Sequence, residues 1–130
     1  MAQAQQVCSQ EELLEMQRLT REVVLSDTVR DYVAQLVVAT QPADPSAPAG
    51  VKRFLRYGSS PRGAQALILA AKSRALLDQR FNVAYEDVRA VAEPCLRHRL
   101  IPSFEAQAEN VSVEEVLGQL LEAIRPQVPA

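Results

Sequence analysis

Residues 60–77 read SPRGAQALILAAKSRALL, and this stretch decides the fold class. Ser60 is a preferred N-cap residue, and Pro61 follows at the first helical position, where its missing N–H forfeits no bond. Ala64, Leu67, Ile68, Ala71 and Ala75 then recur at helical spacing on one face, with Leu69, Leu76 and Leu77 widening the stripe. A helix apolar over so much of its circumference is predicted to be the central one. Its small side chains suit helices packed at close range.

The same chemistry extends outward. The chain has no Trp, three Phe and three Tyr, and its apolar residues are mainly Ala, Val and Leu. That mix favours helices over a β-sandwich, whose strands alternate and are rich in Tyr, Thr and Ile. Upstream, Ser9 and Glu12 form a capping box, and Leu13, Met16, Thr20 and Val23 share a face, so a helix is expected to about Glu22. Ser26-Asp27 caps a second helix with Val29, Val33, Leu36, Val37 and Thr40 inward and Tyr32 on the flank; it stops before Pro42. Downstream, a helix is expected from about Tyr85 to Glu93, with Pro94 ending or kinking it. A last one opens at the Ser112–Glu115 capping box and carries Val113, Val116, Leu117, Leu120, Leu121 and Ile124 on one face. The expectation is an all-α bundle of about five helices, with one or two very short strands. Residues 41–56, holding Pro42, Pro45, Pro48 and Gly50, read as a long, exposed and mobile loop. Residues 96–104 read as extended or irregular.

At 130 residues the chain has room for one domain. Its net charge of −2 argues against a general nucleic-acid coat or a polybasic membrane anchor. Apolar runs fall far short of the ~20 residues of a membrane span. No basic-then-apolar leader opens the chain, so the expected compartment is the cytoplasm. Cys8 and Cys95 match no metal or redox spacing.

Net charge hides an asymmetry. No acidic residue lies between Asp44 and Asp78, yet Lys52, Arg53, Arg56, Arg62, Lys72 and Arg74 do. This block reads either as a solvated basic face or as an anion site, because a helix N-terminus adds free N–H groups and partial positive charge. The local sequence Gly58-Ser59-Ser60-Pro61-Arg62 favours the second: a turn, a cap, a rigid first turn, and an Arg anchored in it. His98, alone between two arginines, reads as a structural or interface residue, and Cys95 as a core thiol. Glu86 and Asp87 are expected to serve the first turn of their helix.

Tyr57-Gly58-Ser59-Ser60-Pro61-Arg62-Gly63-Ala64 resembles the G-[AS]-S-P-R segment that opens the third lid helix of MoxR-type AAA+ ATPases. Residues 26–40 (SDTVRDYVAQLVVAT) look like that lid's second helix, and residues 70–91 (AAKSRALLDQRFNVAYEDVRAV) like its Ala-rich helix, turn and aspartate-bearing fourth helix. Leu96-Arg97-His98-Arg99-Leu100 matches the family's L-R-H-R-L signature. Four matches in order cover most of residues 9–125. One departure is Ala84-Tyr85, where the family usually carries a hydroxyl cap. The other is that no P-loop, Walker B run or strand-bearing nucleotide core is present.

The resemblance implies an isolated lid, part of a longer ATPase, inactive alone and holding no cofactor by itself. ATP and magnesium would be bound by the parent's core domain. Arg62 would be the sensor-2 arginine reaching the γ-phosphate, with Gly58 and Ser60 supporting the helix entrance and approaching the nucleotide. The parent would hydrolyse ATP as a ring, chaperone-like, assembling or activating protein complexes. Its partners would be its own core domain, neighbouring subunits and a von Willebrand A domain protein, with no nucleic acid or membrane. Three rivals stay open: a free-standing helical adaptor, a chelatase-type lid, and a helical DNA-binding domain lacking any row of exposed Arg, Asn or Gln on a recognition helix.

Overall fold

The computed structural model describes residues 3–127; of the domain expected over 1–130, residues 1, 2 and 128–130 lie outside the described residues. The fold is all-α. Among the described residues there are seven helices: α1 (Gln10–Glu22), α2 (Asp27–Val38), α3 (Ala49–Phe54), α4 (Pro61–Leu77), α5 (Tyr85–Leu96), α6 (Phe104–Glu109) and α7 (Val113–Ala123). Strands β1 (Leu55–Tyr57) and β2 (Ile101–Pro102) pair antiparallel, Leu55 facing Pro102 and Tyr57 facing Ile101.

Helix α4 is central, packed against α1, α2 and α5. Gly63, Ala71 and Ala75 are buried on it together with Leu67, and Ala92 is buried on α5, so small residues bring these two backbones close. Leu36, Leu67, Leu96, Leu117 and Leu120 are the largest wholly buried side chains. Tyr32, expected on a flank, is buried; its ring meets Tyr85 edge-on at 5.4 Å.

Several expectations change. The stretch 41–56 is not an exposed loop throughout, because 49–54 form α3 and Ala47, Val51, Phe54 and Leu55 are buried. Isolated helices this short are marginal in water, so packing against α6 and α7 is what holds α3. Residues 96–104 hold the end of α5, a 3₁₀ turn at Arg97–Arg99, β2 and the start of α6. Pro94 does not end α5, which continues to the fully buried Leu96. Just past α1, Val24 makes a parallel bridge to Asn82.

Candidate functional site at the start of the central helix

The entrance to α4 is built from two elements. Thr40, just past α2 and wholly buried, donates its hydroxyl to the Val37 carbonyl at 2.6 Å and accepts the Ser59 N–H at 2.9 Å. Gln41 Nε2 donates to the Ser59 carbonyl at 2.8 Å. Ser59 itself is buried, and its hydroxyl donates to the Ser60 carbonyl at 3.2 Å. A Cβ on Gly58 would collide with the Thr40 backbone carbonyl, and one on Gly63 with the Ser59 hydroxyl. No glycine here has positive φ. Space, not backbone conformation, calls for glycine at both places.

Ser60 sits at the N-cap with extended backbone (φ −75°, ψ 170°) and is exposed, but its hydroxyl makes no cap bond. The expected serine cap is therefore absent, and α2 supplies the anchoring instead. Pro61 opens the helix, and the Gly63 N–H turns back to the Ser60 carbonyl at 2.8 Å. Arg62 follows Pro61 and points into solvent.

The basic block is not one surface. Arg53 pairs with Glu105 at 2.6 Å and also with Glu109, tying α3 to α6. Lys72 donates to the Arg21 carbonyl at 2.8 Å, closing the end of α1. Arg74 lies 3.5 Å from Asp87. Arg56 lies over the Tyr57 ring at 5.3 Å. Among the described residues, Arg62 has neither a carboxylate partner nor a ring contact.

Asp87 is buried at the start of α5, where its carboxylate accepts the N-cap Ala84 N–H at 2.8 Å, the half of a capping box that needs no hydroxyl at Ala84. Arg80 grips both of its oxygens, at 2.7 and 2.9 Å. This hydrogen-bonded guanidinium, aided by Ala84 N–H and Arg74, holds the carboxyl below the usual carboxylate range. The first-turn role expected for Asp87 is thus met by its N–H contact. Cys95 is half-buried, its Sγ directed at the Ala66 carbonyl, and burial pushes its thiol up. His98 is exposed in the 3₁₀ turn. No group of three or more His, Cys, Asp or Glu side chains gathers as a metal site among the described residues. No described helix is long and apolar enough to cross a membrane.

A separate groove of about 610 Å³ lies over Phe54, Val111 and Gly118, rimmed by Glu115, Gln119 and Glu122. Its carboxylates oppose phosphate binding. Thr40 and Gln41 are the site residues that the sequence hides: Thr40 reads as one more member of an apolar stripe.

Comparison with known proteins places this architecture. The AAA lid domain family matches residues 49–120. Over 129 residues, 98% of this chain, the sequence is 35% identical to Chaperone MoxR1 of Mycobacterium tuberculosis. It is 43% identical over 63 residues, 47% of this chain, to Protein MoxR of Paracoccus denitrificans. These alignments take up 34% and 19% of the respective relatives, so the chain spans about a third or less of their length. A solved structure of a proposed ATPase from Cytophaga hutchinsonii superposes with a TM-score of 0.85 at 29% identity, over 91% of this chain and 36% of that one. A fold shared with that ATPase and a family match over more than half the chain leave one assignment: the chain belongs to the AAA lid domain family, as the lid of a MoxR-type AAA+ ATPase.

Proposed function

We propose that this lid closes over ATP held by a nucleotide-binding core domain and that Arg62 reaches the γ-phosphate as its sensor-2 residue. The observation that carries the reading is the isolation of Arg62: an exposed guanidinium without a carboxylate partner among the described residues, mounted in the first turn of the central helix. A phosphate fits that place, since the positive end of the helix dipole and a planar cation act on it together. Phosphoryl transfer spreads negative charge over the transferred group, and a preorganised cation stabilises that charge more than the ground state. Ser60, exposed with its hydroxyl uncommitted to a cap, and Gly58, half-buried beside it, form the approach to the same phosphate. Rotation of the lid would bring the cation in or take it out, coupling hydrolysis to motion.

The outer face of α1 supports a core domain as neighbour. That helix has an apolar stripe yet no buried residue, with Leu13, Leu14 and Met16 each about half exposed. The parent protein would act as a ring-forming, chaperone-like ATPase in the cytoplasm that assembles or activates protein complexes, with a von Willebrand A domain protein as a client-side partner. The mycobacterial relative is named a chaperone, and the rest follows from the resemblance.

The test is steady-state turnover and nucleotide binding of the full-length ATPase. Arg62→Ala should lower the hydrolysis rate by about 10²–10³ with a modest loss of affinity, as for removal of one preorganised charge-stabilising donor. Arg62→Lys should recover part of the rate, because it keeps charge but loses the fork. Arg56→Ala should change little. Wild-type turnover by Arg62→Ala would refute the assignment.

A further inference from the structure

We infer that Thr40 and Gln41 are positioning residues for Arg62, a two-point clamp by which α2 sets where the guanidinium stands. The inference rests on reading Arg62 as the phosphate contact.

Four other helices begin in a different way. The entrances of α1, α2, α6 and α7 are each held by their own N-cap serine, whose hydroxyl accepts an N–H three residues on. Ser60 does not do this. Its neighbour Ser59 instead has both backbone groups taken by side chains from 18 and 19 residues earlier, Gln41 on the carbonyl and Thr40 on the N–H. Thr40 donates its own proton to Val37, so the lone pair facing Ser59 is fixed in direction. Gly58 lets the loop lie directly on the Thr40 carbonyl, and Gly63 lets Ser59 tuck under the first turn of α4.

A local cap would have stabilised α4 while leaving its start free to shift against α2. The clamp removes that freedom. A misplacement of about 1 Å at a reacting group can cost roughly 10²-fold in rate, so a stiff mount for an otherwise unsupported cation has a direct kinetic consequence. It also means that displacement of the C-terminal end of α2 is transmitted to Arg62 through two hydrogen bonds and one backbone contact.

The experiment is a double-mutant cycle in the full-length ATPase, reading kcat and KM for ATP. Thr40→Val should lower kcat roughly tenfold, as expected for a misplacement smaller than the ~1 Å that costs about 10²-fold, with KM within about twofold. Thr40→Ser, which keeps the hydroxyl, should restore most of it. In an Arg62→Ala background Thr40→Val should add nothing, since the group it positions is gone. Gln41→Ala, which loses one half-buried hydrogen bond, should behave like a weaker Thr40→Val and remains usable if the latter fails to fold. Ser112→Ala, which weakens the remote α7 cap, should lower the melting temperature without changing kcat. Additive losses with Arg62→Ala, wild-type turnover by both clamp variants, or an equal kcat loss from Ser112→Ala would each overturn the clamp. If Arg62→Ala is slow while the clamp variants are not, the clamp alone fails. If Arg62→Ala turns over normally, the phosphate assignment fails and the clamp with it.

Discussion

Helices α1 and α7 begin alike and end up in opposite situations. Each opens with a serine-glutamate capping box, Ser9 with Glu12 and Ser112 with Glu115, and each carries an apolar stripe. Helix α7 buries Val116, Leu117 and Leu120, whereas α1 buries nothing, and Leu13 and Met16 are 48% and 53% exposed. The ties from α1 to the body lie at its trailing end, where Lys72 bonds the Arg21 carbonyl and the Val24 N–H donates to Phe81 at 2.8 Å. An amphipathic pattern states that a helix has an apolar side to cover. It does not state whether the cover lies within the same chain.

Truncating matched leucines should separate the two helices most strongly. Leu120→Ala should destabilise the chain by about 3 kcal/mol, within the range for a filled core position, while Leu13→Ala should stay within about 0.5 kcal/mol. Equal costs in urea melts would mean that α1 is packed in solution in a way that the structure does not show. A smaller effect separates the caps. Ser112→Ala should cost about 1 kcal/mol of global stability, whereas Ser9→Ala should fray α1 locally and leave the melt unchanged. Amide exchange along α1 would reveal the fraying, and a common shift of both melts would contradict it.

The smallest effect appears only in acid. Asp87 has a folded-state pKa below its unfolded value of about 3.9. Its contribution is therefore complete above that value and is lost as the pH falls through the lower folded one. Between pH 7 and pH 5 no change is expected from this group. At pH 3 the turn joining α4 to α5, and the Val24 bridge that rests on it, should lose protection before α7 does. Amide protection compared at pH 6 and pH 3 decides this, and earlier loss at α7 would contradict it.

The elements legible in the sequence are those whose ends carry local chemistry. Ser9–Glu12, Ser26-Asp27, Ser60-Pro61 and Ser112–Glu115 mark four of the long helices within a residue of their observed starts. Helices α3 and α6 were hidden because six residues show less than two turns of period, and both are held by tertiary contact, including Arg53 with Glu105 and Glu109. The prolines at 42, 45 and 48 masked the buried Val51, Phe54 and Leu55 that follow. Arg62 could be singled out because its motif is contiguous. Thr40 and Gln41 could not, because nothing local links the end of one helix to a loop some eighteen residues later.

The contact of Gly58 with Thr40 bears on how this motif can be moved between proteins. Its backbone angles are ones any residue adopts, so a designer working from dihedrals alone would accept alanine there, and would also accept the six-residue loop as a portable cassette. Neither transfer should succeed. The loop's shape is a cast of the carbonyl beneath it, and a graft of Gly58–Gly63 into another helical scaffold must bring along a threonine-ended helix at the same height, with a leucine filling the place of Leu96 behind it. The transplantable unit is the end of α2, the loop running into the start of α4, and Leu96 from the end of α5, three separate parts of the chain.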